Sequence, residues 1–428
     1  MKTGCLHPFS ERMVLMSTTI RKSRPAPRPR ATQVRKAQLK INTDAAKAVR
    51  QGHPWVFRHA ILNASFSCSD GDIIDITDND GGFLARGFFE TEGIVAVRIF
   101  TRDEKEMIDA AFFRKAVLRA VELRRTFLEP DLDVYRLVNA ESDGLPGITV
   151  TRFGDYLQAI LYAPAMTRFV EDIYPALMEI TKARGIYEQV RFKPLNAGEN
   201  VRRGSKLVAG EEAPIDVTIV EDGLKFIVDI SAPSSVGFFP DYRLGRRRIR
   251  ELSAGRSVLN LFSHTGAFSV HALAGGARQV VNVDIAQKAH ARARQNSELN
   301  GFDPAKLFCH ADDVFRILGM LKRKQATFDL VIVDPPTFST DKGRTWSGPR
   351  DMAILLQDIA ELCLPGALML ITSNTVKMPM DLFEKQVAQG LGHRRAVILE
   401  RPALPADYPE IPGFPESGYL KSILVHLD

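Results

Sequence analysis

Hydrophobic and polar positions alternate in short runs from Gln38 to about Thr101. Asp72-Ile73-Ile74-Asp75-Ile76 follows the turn residues Ser69-Asp70-Gly71, and Phe83 to Phe89 follows Asn79-Asp80-Gly81-Gly82, a hairpin signal. Val95 to Phe100 closes the set, which predicts a small β barrel of roughly 65 residues. Helical spacing then takes over, with Ile108, Phe112, Val117, Leu118 and Val121 on one face of a basic helix ending near Phe127. A second unit begins near Tyr135 with the turn-rich Ser142-Asp143-Gly144-Leu145-Pro146-Gly147. It continues as strands over 148–153 and 156–162, a helix over 167–184 and a strand over 185–191. The polar stretch 195–213 reads as a loop or boundary, and 217–228 as a hairpin around Glu221-Asp222-Gly223. Beyond it, apolar strands at 257–262, 279–284, 330–334 and 368–372 alternate with helical segments. Such βα repetition predicts a mostly parallel sheet covered on both faces, an α/β fold. The organisation expected is a basic tail (1–37), a barrel (38–105), a small α+β central domain (106–225) and the α/β domain (226–428).

Composition leaves this picture standing. A chain of 428 residues, 45% hydrophobic and 25% charged, suits two or three soluble domains. No apolar run reaches the ~20 residues that span a bilayer, and no apolar leader is expected, so a cytoplasmic location without membrane contact is the expectation. Cys5, Cys68, Cys309 and Cys363 are widely spaced and suggest neither a disulfide framework nor a metal site. The net charge of +6 comes from the first 40 residues, which hold ten Lys or Arg and one Glu, so the rest is slightly acidic. Arg21 to Arg30, rich in Pro and Arg, is expected to be disordered, as a solvated extension or a non-specific phosphate contact.

In open α/β sheets ligands bind beyond the carboxyl ends of the strands. At the first strand end, Asn260-Leu261-Phe262-Ser263-His264-Thr265-Gly266 turns into a helix whose N–H groups suit a carboxylate, with Gly266 admitting a close ligand. No G-x-G-x-x-G is present, which disfavours a dinucleotide. Asp284, about twenty residues further and followed by Ile285, is placed to accept from ribose hydroxyls. Asp312 and Asp313 follow a third strand, where an adenine amino group can be read. An acidic residue after a strand also serves as a helix cap; the serial arrangement carries more than any member. At the fourth end, Asp334-Pro335-Pro336-Thr337-Phe338-Ser339 stiffens a loop and leaves carbonyls open to a planar nitrogenous group, with Phe338 able to stack on it.

These segments resemble motifs I and IV of class I methyltransferases, closest to bacterial 23S ribosomal RNA methyltransferases of the cytosine-C5 and guanine-N7 types. Val236-Gly237-Phe238-Phe239-Pro240-Asp241-Tyr242-Arg243 is similar to that family's cofactor-side segment. Gly52-His53-Pro54-Trp55-Val56-Phe57 resembles the PUA domain of the cytosine-C5 members, and Pro412 to Glu416 with Tyr419-Leu420-Lys421 their C-terminal stretch. The resemblance implies a Rossmann-like methyltransferase domain behind a PUA-like barrel and a small central domain. It implies S-adenosylmethionine held by Phe239, Asp241, Arg243, Asn260, Phe262, Ser263, Thr265, Gly266, Asp284, Ile285, Asp312, Asp313 and Asp334. Ribosomal RNA, free or in a precursor particle, is the implied partner, and a homodimer is left open.

One departure bears on mechanism. Cytosine-C5 transfer needs a thiolate, which the family carries just after the strand read here at 368–372. This chain has Thr372-Ser373-Asn374-Thr375 there, similar to the guanine-N7 type. The catalytic set expected is Asp334, Pro335, Phe338 and Asn374, with direct transfer to a base nitrogen. Methylation of a protein or small molecule, and a non-catalytic RNA-binding role, are the competing readings. The arginines at 243, 246, 247, 248 and 250 suit either an RNA phosphate contact or a solvated helix face.

Overall fold

The computed structural model describes residues 37–63, 68–129, 131–192, 204–233, 235–341, 344–375 and 378–428. Residues 1–36 of the basic tail lie outside them. Strands β1 (Ala37–Lys40), β2 (Trp55–Phe57), β3 (Ile73–Thr77), β4 (Phe83–Phe89) and β5 (Val95–Thr101) form one sheet in the order β1-β3-β4-β5-β2. A bridge between Ile41 and Ile61 joins its two ends around Leu39, Val56, Ile74, Ala85 and Val97. Helix α1 (Thr43–Arg50), absent from the pattern reading, starts where the Asn42 side chain accepts from Ala45 N–H. That cap was the available signal.

Helix α2 (Ala110–Arg125) leads into the central domain: β6 (Val134–Asn139), β7 (Ile148–Phe153), β8 (Tyr156–Leu161), α3 (Val170–Thr181), β9 (Gly185–Val190) and β10 (Lys206–Gly210), in the order β10-β9-β8-β7-β6. Strand periodicity of two divides the side chains. Ile148, Val150, Leu157, Ala159 and Ile186 pack under α2 and α3, while Thr149, Thr151, Gln158 and Gln189 point to the opposite face. The hairpin β11 (Val217–Glu221) and β12 (Leu224–Val228) follows, so the boundary drawn at residue 225 falls inside a strand.

The last domain contains α4 (Arg243–Leu252), β13 (Ser257–Leu261), α5 (Ala267–Ala274), β14 (Gln279–Asp284), α6 (Gln287–Leu299), β15 (Leu307–Ala311), α7 (Val314–Arg323) and β16 (Phe328–Val333). A small hairpin, β17 (Phe338–Asp341) and β18 (Arg344–Ser347), precedes α8 (Gly348–Ala360), β19 (Cys363–Ser373), α9 (Met380–Leu391), β20 (Ala396–Glu400) and β21 (Lys421–Leu427). The sheet order is β15-β14-β13-β16-β19-β21-β20. Its first five strands are parallel and β21 is antiparallel to both neighbours. The strands read as unbroken apolar runs because both faces are covered. Leu259, Leu261, Val331 and Ile371 meet α7, α8 and α9, whereas Val258, Leu330, Ile332 and Leu370 meet α4 and α5. Chain order reverses between β13 and β16, which opens a crevice at their carboxyl ends.

The stretch 401–420 carries prolines at 402, 405, 409, 412 and 415 and can extend neither helix nor sheet. It lies against all three units. The carboxylate of Asp407, fully buried, accepts from Arg243 of α4 and from the Arg136 backbone N–H (2.8 Å), while its carbonyl accepts from Arg124 of α2 (2.8 Å). Arg124 in turn holds Asp143 through two bonds of 2.6 and 2.8 Å. At the barrel, Phe414 packs on Trp55 with ring centroids 4.6 Å apart, and Asn139 donates to the Pro409 carbonyl. A Cβ on Gly413 would lie 2.3 Å from the Gln51 carbonyl oxygen, so the two backbones touch there. Removing the shared carboxylate leaves a buried cation and a buried N–H unpaired. Asp407→Ala should therefore lower stability by about 3–5 kcal/mol, read from urea unfolding, with Asp407→Asn losing less.

Candidate active site

Two cavities meet at the crevice. The smaller is lined by Gly237, Phe239, Tyr242, Phe262 to Thr265 and Asp334. The larger, about 590 Å³, opens between barrel, central domain and sheet, and shares Phe238 and Phe239 with the first.

The loop after β13 is unusual backbone. Phe262, His264 and Gly266 have φ of 59°, 46° and 77°, a left-handed conformation at alternate positions. The N–H groups of Ser263, His264 and Gly266 bond Val283, Asp284 and Ser263, and the cost of holding non-glycine residues in this conformation marks functional sites. Gly266 precedes α5, and a Cβ on it would come within 2.8 Å of Ala293 Cβ. The constraint on this glycine is thus the packing of α6, in addition to any ligand. The Ser263 hydroxyl is buried without a hydrogen-bond partner among the described residues. An orphaned donor beside a helix N-terminus fits the carboxylate of an amino-acid-like ligand. Thr265 donates to the Gly237 carbonyl at 2.5 Å and so ties the segment 236–241 to the loop. Phe239 stands about half exposed with its ring 5.3 Å from His264.

Asp284 accepts from His264 N–H and Ala286 N–H, both at 2.9 Å, which fixes the carboxylate at the rim. Its remaining lone pairs suit a diol. Ile285 beside it is exposed, as a surface for a flat ring requires. Of the pair at the third strand, Asp313 caps α7 through Phe315 and Arg316 N–H. Asp312 accepts from Asp313 N–H and lies 3.6 Å from Arg316.

Three sequence-predicted residues sit elsewhere than expected. Asn260 is buried under the loop, donating to Ser269 at 2.8 Å, and Ser269 donates to Asn282; this chain of polar groups joins β13, α5 and β14. Asp241 lines the larger cavity, accepting from the Tyr419 hydroxyl at 2.7 Å. Arg243 is buried against Asp407. Neighbouring side chains, invisible to a linear motif, claimed them first.

At the fourth strand end, Asp334 accepts from Thr372 (2.5 Å) and from the Tyr242 hydroxyl. Burial pushes its carboxyl up to about 6. With the carboxylate so engaged, the carbonyls of Asp334 and Pro335 are the groups this loop can offer outward. Asn374 is exposed and accepts from Thr337 at 2.8 Å, and it lines the larger cavity. The Phe338 side chain lies outside the described residues. Tyr242 and Thr372 were within segments singled out in the sequence, yet only the fold shows that they bracket Asp334. Lys421, buried, donates to the carbonyls of Thr375 (2.8 Å) and Tyr419 (2.6 Å), holding the strand end against the proline-rich stretch.

Two outcomes follow from this geometry. Asp284→Ala removes the acceptors expected to meet ribose hydroxyls and those that hold the loop, so affinity for the implied S-adenosylmethionine should fall by roughly 1–3 kcal/mol in calorimetric titration. The second concerns pH. Because Asp334 has a folded pKa near 6, above the ordinary value of about 3.9, the folded chain binds that proton more tightly than the unfolded one. Its contribution to stability is present below about pH 4 and is lost as pH rises through 6. Unfolding midpoints of the wild type minus those of Asp334→Asn should fall over that window; a flat difference would show that the carboxyl titrates normally.

Residues 141–426 match the S-adenosylmethionine-dependent methyltransferase family, and residues 39–102 match the PUA-like domain. Ribosomal RNA large subunit methyltransferase I of Aliivibrio fischeri is 36% identical over 381 residues, 88% of this chain and 95% of that protein. The protein of the same name from Klebsiella pneumoniae is 36% identical over 88% of this chain and 94% of its own length. A methyltransferase crystal structure in complex with SAH superposes with a TM-score of 0.84 at 26% identity, covering 91% of this chain and all of that one. A Streptococcus mutans protein assigned as a SAM-dependent methyltransferase gives 0.82 at 25% identity, again over 91% and 100%. The expected α/β architecture with its PUA-like barrel, and S-adenosylmethionine as cofactor, are thereby established. Among the described residues no helix is long and apolar enough to cross a membrane. The chain belongs to the S-adenosylmethionine-dependent methyltransferase family that includes the ribosomal RNA large subunit methyltransferase I proteins.

Proposed function

We propose that the chain methylates a base of large-subunit ribosomal RNA by direct transfer, with guanine as the base. The relatives' names and the PUA-like barrel support the RNA, and the placement of the cysteines carries the mechanism. Cys363 opens β19 at the end remote from Ser373, donates to the Ile359 carbonyl, and has its thiol pushed up to about 12 by burial. Cys309 lies within β15, with its thiol raised by burial, and Cys68 belongs to the barrel. Cys5 is outside the described residues. Among the described residues, therefore, no thiol reaches the crevice to add to a pyrimidine ring.

A nucleophile must then come from the base. S-adenosylmethionine supplies an electrophilic methyl group when bound. Ser263 and the α5 N-terminus are suited to its carboxylate, and Asp284 to its ribose. Around the base, the Asp334 and Pro335 carbonyls accept from ring or amino N–H groups. Asn374 has its carbonyl engaged by Thr337, which directs its amide N–H groups elsewhere and suits a guanine acceptor. Guanine N7 or the exocyclic amine needs no covalent activation, so positioning suffices.

Mass spectrometry of ribosomal RNA from cells with and without the gene tests the reading. A methylguanosine should disappear with the gene. A chain with Cys5, Cys68 and Cys309 as Ser and Cys363 as Ala should restore it in vitro. A lost 5-methylcytidine, abolished in that cysteine-free chain, would overturn both base and mechanism.

A further inference from the structure

The larger cavity has a floor that the methyl transfer does not use. Thr149 and Thr151 of β7, Gln158 of β8 and Gln189 of β9 are all buried, on the sheet face turned from α2 and α3. A buried sheet face is ordinarily apolar, as the opposite face here is. Among the described residues the Thr149 hydroxyl has no hydrogen-bond partner, and neither do Nε and Nη1 of Arg136 on the adjoining strand. The Arg136 guanidinium lies over the Tyr408 ring at 4.8 Å and lines the same cavity. Leaving such groups buried and unpaired is unfavourable, which points to a ligand that supplies their partners.

The lining identifies its class. Hydroxyls and amides both donate and accept, matching the edge of a base, and an arginine fork matches a phosphate. Aromatic surfaces stand at the mouth. Trp55 is fixed by its indole N–H to Glu141 (2.9 Å) and packs on Phe414, while Phe239 is half exposed toward the cofactor side. Single-stranded RNA is read by this combination of stacking and edge recognition. Asp334 lines the smaller cavity and Asn374 stands on one wall of the 590 Å³ cavity, whose polar floor belongs to the central domain.

We propose that this interdomain cavity is a second nucleotide pocket, in which the central sheet reads a base flanking the methylated one and Arg136 pairs with RNA phosphate. This rests on the ribosomal RNA reading. The pocket makes Thr149 and Gln158 specificity determinants that contact neither the reacting base nor the cofactor.

The test uses the full chain and short RNAs carrying the site that mass spectrometry locates, with each neighbour of the target changed in turn. The wild type should lose about tenfold or more in kcat/KM for at least one neighbour. Thr149→Val, which keeps the shape and the strand preference, and Gln158→Leu should flatten that discrimination, with calorimetric S-adenosylmethionine affinity and melting temperature unchanged. Arg136→Lys keeps the charge without the fork and should raise KM for every RNA. Wild-type discrimination in the Thr149 and Gln158 variants, even at a uniformly lower rate, would overturn the pocket while leaving the function intact. A wild type that modifies no ribosomal RNA would overturn the reading beneath it.

Discussion

A single buried carboxylate, Asp407, joins the methyltransferase domain of this enzyme to its central domain. It receives Arg243 from the methyltransferase domain and the Arg136 backbone from the central domain, and its own carbonyl receives Arg124. Through Arg124 the chain of charges extends to Asp143, so two cations and two anions are buried together. Desolvating any one alone would be prohibitive, and the set persists only because each member is answered. Arg136, whose backbone N–H bonds Asp407, lines the larger cavity together with Asp241 and Tyr419, so the shape of that cavity depends on this knot.

The proline-rich stretch that carries Asp407 has no regular structure of its own, yet it is among the best anchored segments. Tyr408 faces Arg136, Phe414 faces Trp55, and Tyr419 and Lys421 reach Asp241 and the end of β19. A loop can be buried only if its backbone finds partners, and here each neighbouring domain supplies some. The stretch thus packs against the barrel and the crevice at once. Moving the central domain against the methyltransferase domain would require breaking the buried bonds at Asp407.

Electrostatics around the crevice divide by depth. Asp284 at the rim is hydrogen-bonded to backbone N–H groups and stays available to hydroxyls, whereas Asp334 lies deep enough that burial raises its pKa to about 6. The two carboxylates, on strands that flank β13, thus differ in setting, one open at the rim and one engaged by Thr372 within the loop. The arginines of α4 divide similarly. Arg246 is buried against Glu221, and Arg247 bonds Asp222 and Glu129, so on this helix they join elements instead of forming a basic surface.

Local pattern determined much of this. Uninterrupted apolar runs such as 257–262 and 330–334 can only be strands covered on both sides, and the polar residues at their ends mark a ligand crevice in any parallel sheet. The turn into a helix at Gly266 and the cysteine missing after β19 were likewise readable, since each is a property of adjacent residues. What the tertiary structure decided is where side chains find partners. Asn260, Asp241 and Arg243 belong to motifs, but Ser269 on the following helix claims the first, and Tyr419 and Asp407, far away in sequence, claim the other two. Helix α1 and strand β20 are short, and β20 is exposed along most of its length, so neither imposes a periodicity that rises above its surroundings. The polar floor under Thr149 and Gln158 is the clearest case. Along the chain these residues read as the solvent face of an ordinary sheet, and only the docking of the other domains turns that face inward.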